Sequence, residues 1–262
     1  MKMKMQIRNI VAVLALGSLG VLAGCGGGSD DIGQIIGTSS PQYRTVHANP
    51  FIGNVDFGVN GSTKITNVGF KNVSNYFGID ATASTATVSN TGSSTPLASA
   101  GFTPANGHRY TALAVVGANG SATSLSLIDD PYNKSILSDK ARVRTFNASY
   151  NAPNVDVYVT APNVDLSAIA PTMSGAAYGA ASPVSTQDSI YVDGGTYQVR
   201  VATAGTKNII FTSQPFSLAN NADWLITTLP AGGAGAVTPN AIRVLVAQAN
   251  GASQTASELP TQ

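Results

Sequence analysis

"RTVHANPFIGNVDFGV", residues 44–59, returns one hundred positions later as "RTFNASYNAPNVDVYV", residues 144–159, with seven of the sixteen positions identical. The shared residues are Arg44/Arg144, Thr45/Thr145, Ala48/Ala148, Asn54/Asn154, Val55/Val155, Asp56/Asp156 and Val59/Val159. Apolar side chains alternate on both sides of the middle: Val46 is matched by Phe146, and Val55, Phe57 and Val59 by Val155, Val157 and Val159. A period of two turns one face of a strand toward a core. The intervening Asn, Pro, Gly and Ser favour a turn in which a short polar side chain bonds nearby backbone. The stretch reads as strand, polar turn, strand. Its repetition predicts one fold unit written twice.

Outward from this motif the likeness continues. "TASTATV" (82–88) resembles "GTYQVRV" (195–201), and "HRYTALAVVG" (108–117) resembles "ADWLITTLPAG" (222–232). Both units close with an apolar strand, "SLSLI" from Ser124 and "AIRVLVAQA" from Ala241. No stretch shows a long, capped helical period. Short strands separated by turn residues predict an all-β fold: two tandem immunoglobulin-like (Greek-key) β-sandwich domains, residues 43–130 and 141–250. A linker (131–140) carrying Pro131 joins them, and a polar tail (251–262) follows. Each unit is expected to hold its own core, so that damage to one leaves the other's melting unchanged.

The offset between the copies grows from 100 at the opening motif to 113–114 at Asp80/Asp193 and Tyr110/Trp224. The excess falls in "TAPNVDLSAIAPTMSGAAYGAASPVSTQDS", residues 160–189, with Pro162, Pro171 and Pro183. A long connection of small residues in a compact unit is a candidate binding loop. Met173 and Tyr178 supply its apolar contact groups, and "VDLSAIA" is a candidate for one helical turn. Met173 and Tyr178 are therefore the candidate binding residues.

The first residues carry an address. Lys2, Lys4 and Arg8 precede an apolar run from Ile10 to Leu22, the layout of a secretory signal too short to span a bilayer comfortably. "Leu22-Ala23-Gly24-Cys25" resembles the lipobox of bacterial lipoproteins, which implies a signal peptide over 1–24 and a lipid on Cys25. Cys25 is the single cysteine, so no disulfide forms within the chain. Residues 25–42, rich in Gly and Ser, read as a tether. Gly26 after the cysteine, by resemblance to Gram-negative sorting rules, favours the outer membrane. The expected location is thus the cell envelope, lipid-anchored at the outer membrane on its periplasmic or surface face.

Without residues 1–24 the chain holds 11 Lys and Arg against 13 Asp and Glu, a formal charge near −2. There is no basic stripe, and nucleic acid is not an expected partner.

"YRTVHANPFIGNVDFGVNG" and the later "YTALAVVG" are similar to the bacterial family called domain of unknown function 4397, whose opening runs roughly R-V-V-H-A-S-P-D-A-P-x-V-D-V-Y-V-D-G. The resemblance covers both units, with Asn147 in place of His47 and Tyr150 in place of Pro50. It implies secreted or envelope-attached β-domains and brings no activity, cofactor or catalytic residue.

Candidate chemistry is sparse. Asp56 and Asp156 sit one per unit, unlike the facing carboxylates of a glycosidase, and read as acceptors for turn or strand N–H groups. His47 is replaced by Asn147, so a neutral hydrogen-bonding group meets its role. His47 and His108 are the two histidines and lack zinc-ligand spacing. No G-x-S-x-G or S-x-x-K motif occurs, and the glycine runs lack a following Lys-Ser/Thr. Asp129 and Asp130 lack a calcium-loop pattern. Trp224 matches Tyr110 in a strand and is expected in the core. No metal, cofactor or catalytic residue is expected. The expected function is a non-enzymatic structural, adhesive or ligand-binding module anchored in the membrane at Cys25, with another envelope protein or cell-surface polysaccharide as partner. A carbohydrate-binding module is the alternative, and a polymer-acting hydrolase stands behind it.

Overall fold

The alternating run that opens the first motif becomes β1 (Gln42–His47), and the run that closes it becomes β2 (Val55–Val59). The computed structural model describes residues 39–118, 120, 122–132, 140–250 and 253–262. The chain continues through β3 (Ser62–Val68), β4 (Phe77–Gly78), β5 (Ser84–Asn90), β6 (Pro96–Phe102), β7 (Arg109–Val116) and β8 (Thr123–Asp130). The second motif supplies β9 (Ala141–Asn147) and β10 (Val155–Thr160). There follow β11 (Met173–Ala176), β12 (Ala181–Ser182), β13 (Ile190–Val192), β14 (Gly195–Thr203), β15 (Ile209–Thr212), β16 (Phe216–Leu218), β17 (Asp223–Pro230), β18 (Ile242–Asn250) and β19 (Ser253–Glu258). Among the described residues the one helical element is a short 3-10 turn, Gly233–Val237.

The fold is all-β, and among the described residues the strands form four sheets. Residues up to Asp130 build the sheets β4-β1-β7-β8 and β3-β2-β5-β6. Those from Ala141 build β12-β9-β17-β18-β19, with β13 also on β9, and β11-β10-β14-β15, with β16 also on β14. In each half the first strand runs parallel to a late one: Arg44 faces Thr111 on β7, and Arg144 faces Leu225 on β17. The offset of 114 at these partners is the one read from Tyr110 and Trp224. The same register recurs because the same alternation meets the same partner.

Two cores lie where the sequence pattern puts them. Val55, Phe57 and Val88 meet Ala114, and Tyr43, Tyr110 and Ala112 meet Val59 and Ala86. In the second half Val155, Val157, Val199 and Val201 meet Val143, Trp224, Ile226 and Val244. Trp224 is buried there, stacked on Phe216 at 4.9 Å between ring centroids.

A third core joins the halves. Val46, Leu113, Val115 and Ile128 pack against Phe146, Leu225, Leu229 and Leu245. The β1–β7 sheet thus lies face to face with the β9–β17 sheet, and β7, β9 and β17 are buried along their whole length. A strand covered on both faces has no solvent side for its polar residues. The expectation of one buried face per strand is therefore exceeded, and Arg44, Arg109, Arg142 and Arg144 are enclosed. At the far end of this seam the two equivalent turns touch, Phe51 against Tyr150 with ring centroids 5.4 Å apart.

Two segments differ from their sequence reading. Residues 253–258, read as part of a polar tail, form β19 against β18, with Leu259 buried behind it and the Gln262 N–H donating to Thr212 O. A polar strand lying on an apolar neighbour keeps its backbone pairing without an apolar period of its own. Within the long connection, residues 164–170 form no helix: Asp165 accepts the Ser167 N–H and holds a turn. Instead Val164, Leu166 and Ile169 cover Tyr158 and Ala202 on the outer face of β10 and β14. The equivalent of Tyr158 is Gly58, where a Cβ would lie 2.7 Å from Thr87 Oγ1, so the first half has no protruding side chain to cover. The signal peptide, Cys25 and all but the ends of the 131–140 linker lie outside the described residues.

Candidate functional site: a buried arginine–aspartate cluster

Parallel pairing of β1 with β7 and of β9 with β17 brings four arginines to one end of the seam. Arg109 donates from Nη1 to Asp223 at 3.2 Å, across the two halves. Arg142, whose side chain is fully buried, reaches Asp130 at 2.7 Å and Asp223 at 3.3 Å. Arg144 lies 3.5 Å from Asp130 and donates to the carbonyls of Pro183, Val184 and Gln187. Arg44 donates through Nε to Thr111 Oγ1 at 3.0 Å. Two tyrosines supply π faces: Arg109 lies 3.6 Å and Arg142 4.6 Å from the ring centre of Tyr132, and Arg44 lies 4.6 Å from that of Tyr76. Such stacking favours a guanidinium that has lost water.

The electrostatics follow from this crowding. Burial would raise the Asp130 carboxyl, but Arg142 and Arg144 outweigh it and hold it below its ordinary value. Burial works against the Arg142 guanidinium, and Asp223 and Asp130 more than restore its proton affinity. Arg144 is lowered, because burial exceeds what Asp130 returns. A cavity of about 10 Å³ remains among Arg44, Tyr76, Thr111, Asp130, Arg144 and Asp223. Space of that size holds at most about one water. The cluster joins the two halves and leaves no room for an organic substrate.

The repeated aspartates have one job each, and it is the same job. Asp56 accepts from the Asn67 N–H at 2.8 Å, the Thr91 hydroxyl at 3.1 Å and the Gly92 N–H at 3.0 Å. Asp156 accepts from the Gly175 N–H at 2.7 Å and the Gly205 N–H at 2.9 Å. Each carboxylate ties its strand to a flanking segment on either side. Burial would raise the Asp56 carboxyl, yet the Gly92 and Asn67 amides and Thr91 together bring it below its ordinary value. His108 pairs with Asp129 at 2.6 Å. Among the described residues no group of three His, Cys, Asp or Glu is placed to hold a metal.

The two candidate binding residues of the long connection face inward. Met173 is 2 % exposed, in the core beside Val157. Tyr178 is half-buried, its hydroxyl donating to Val116 O in the first half, and burial pushes its phenol up to about 12. The connection acts as a strap: Ser126 Oγ donates to Gly179 O, the Asp129 N–H to Ser185 Oγ, and the Thr186 N–H to Asp129 O. Sequence reasoning missed the cluster. The available signal was arginine at alternate positions of strands in a chain with few charges, Arg142 and Arg144 above all. Cys25 lies outside the described residues.

No curated protein matches the chain. The similarity that does appear is to a family defined by its domain alone: residues 41–158, from the start of β1 through most of β10, match the family model of a Domain of unknown function (DUF4397).

Proposed function

We propose that the chain is a lipid-anchored cell-envelope protein whose two halves are tandem immunoglobulin-like domains acting as one non-enzymatic structural, adhesive or ligand-binding module. The observation that carries this reading is the parallel use of Asp56 and Asp156. Each carboxylate shared by both copies accepts from turn and strand donors on both of its oxygens, which supports the reading that the repeat's acidic groups serve the fold. The parallel β1–β7 and β9–β17 pairs support the domain reading.

Lipidation of Cys25, with outer-membrane attachment through the Gly- and Ser-rich tether, rests on the basic start, the apolar run and "LAGC". Several acyl chains at about 0.8 kcal/mol per buried CH₂ hold a protein on a bilayer stably. The chain runs from the tether into β1, so Phe51 and Tyr150 lie at the end of the seam away from it. A polysaccharide module would offer aromatic rings on a sheet face. Among the described residues Phe51 is the one exposed aromatic side chain, and it sits in a turn.

The test combines address and activity. Cys25→Ser should move the protein from the membrane to the soluble fraction or leave its signal uncleaved, and mass spectrometry should find the acylated cysteine only in the parent chain. A mature chain carrying an unmodified Cys25 rejects the anchor. A glycan array with residues 26–262 should stay blank, and specific glycan binding would replace the structural reading with the carbohydrate one.

A further inference from the structure

Arg44 stands apart from the other three arginines of the seam. It is 6 % exposed, its Nε is used by Thr111, and its plane rests on Tyr76. Its terminal nitrogens have no acceptor among the described residues, and no carboxylate there lies within ion-pair distance. The two enclosed carboxylates are already shared: Asp223 between Arg109 and Arg142, Asp130 between Arg142 and Arg144. Among the enclosed groups four guanidinium charges stand against two carboxylates, and the exposed Asp188 acts on Arg144 from outside. A largely buried cation with no paired carboxylate is a ready partner for an anion.

Arg44 also lines a second void, of about 30 Å³, bounded by Ser74 and Asn75 from the first half and Gln248, Gln254 and Thr255 from the second. Gln254 Oε1 is taken by the Tyr76 N–H at 2.6 Å, which leaves its NH₂ group as the part free to donate. Ser74 Oγ is already spent, donating to Asn75 O and accepting the Thr45 N–H. The void is thus polar, roomy enough for more than one water, open to solvent past the exposed Asn75 and Thr255, and bordered by the Arg44 cation.

We propose that this seam binds one small inorganic anion such as chloride, held by the Arg44 guanidinium beside the Gln254 amide. Because both halves line the void, an anion there binds the docked arrangement and not the separated one. Its binding therefore stabilises the seam by mass action.

The experiment is a denaturation series on the whole mature chain at fixed ionic strength, with chloride replaced stepwise by gluconate, a bulkier and weakly coordinating anion. Stability should rise saturably with chloride, and at ten times the dissociation constant the folding equilibrium should shift about elevenfold. Arg44→Gln should be insensitive to the exchange. A crystal of the parent protein grown with bromide should show an anomalous peak in contact with the Arg44 guanidinium, a readout that holds even where the variant fails to fold. Equal stability in chloride and gluconate, a chloride effect that survives in Arg44→Gln, or a bromide map without that peak overturns the proposal.

Discussion

Asn147 does for its turn what His47 does for the equivalent turn one hundred residues earlier. His47 Nδ1 accepts the Asn49 N–H at 3.3 Å and Nε2 faces Gly53 O at 2.9 Å. Asn147 Oδ1 accepts the Ser149 N–H at 3.0 Å and Nδ2 donates to Pro153 O at 3.4 Å. Both side chains are fully buried. The pattern requires one acceptor and one donor, so His47 serves as the neutral tautomer with its proton on Nε2.

A pH dependence follows. Burial lowers the His47 imidazole below its ordinary 6.5, with the Gly53 carbonyl opposing in part. Below 6.5 the unfolded chain takes up a proton that the folded one refuses, so the His47 contribution is complete above 6.5 and declines as pH falls toward the lowered folded value. His47→Asn should remove this acid-side decline while keeping the turn. His47→Ala should cost about 1–3 kcal/mol, the range for a buried group left unpaired. Urea midpoints between pH 7 and 5 check both.

Asp56 and Asp156 give a local test. Asp56→Ala should cost about 1–3 kcal/mol and free the Asn67 and Gly92 amides to hydrogen exchange. Asp156→Ala should free those of Gly175 and Gly205 instead. The Asp56 carboxyl is lowered in the fold, so its contribution is present above its unfolded 3.8 and lost as pH falls through the folded value. Exchange measured by NMR at pH 7 separates the two variants. Protection retained at the named amides would contradict the assignment.

Asp223 links the halves more directly, since it accepts from Arg109 of one and Arg142 of the other. Asp223→Ala strands buried arginines, and breaking a buried pair in this way typically costs about 3–5 kcal/mol. A double-mutant cycle with Arg109→Met should return part of that loss, because the second change removes the charge that was stranded. Additive losses would mean that the pair is not coupled.

What could be read from the sequence followed from periodicity. Alternation in 44–59 and 144–159 gave β1, β2, β9 and β10, and the drifting offset located the extra residues before Ile190. The third core was hidden by its polar members. Arg44, Arg109, Thr111, Arg142 and Arg144 have the look of a solvent face, and only the partner sheet turns that face into an interior. Met173 and Tyr178 look available in the sequence for a related reason: the strand and neighbour on which each packs become visible only in the fold. Residues 253–258 carry no apolar period because their pairing is made by backbone alone.

The central claim is that the repeated units share one core, so that the independent melting expected from the sequence gives way to joint unfolding. Trp224 is the single tryptophan and reports the second half by fluorescence. Amide exchange in β2 and β5 reports the first. Followed together through a denaturant series on the whole mature chain, the two probes should give the same midpoint and the same dependence on denaturant. A first half that opens at its own midpoint, while the Trp224 signal remains native, would contradict the shared core.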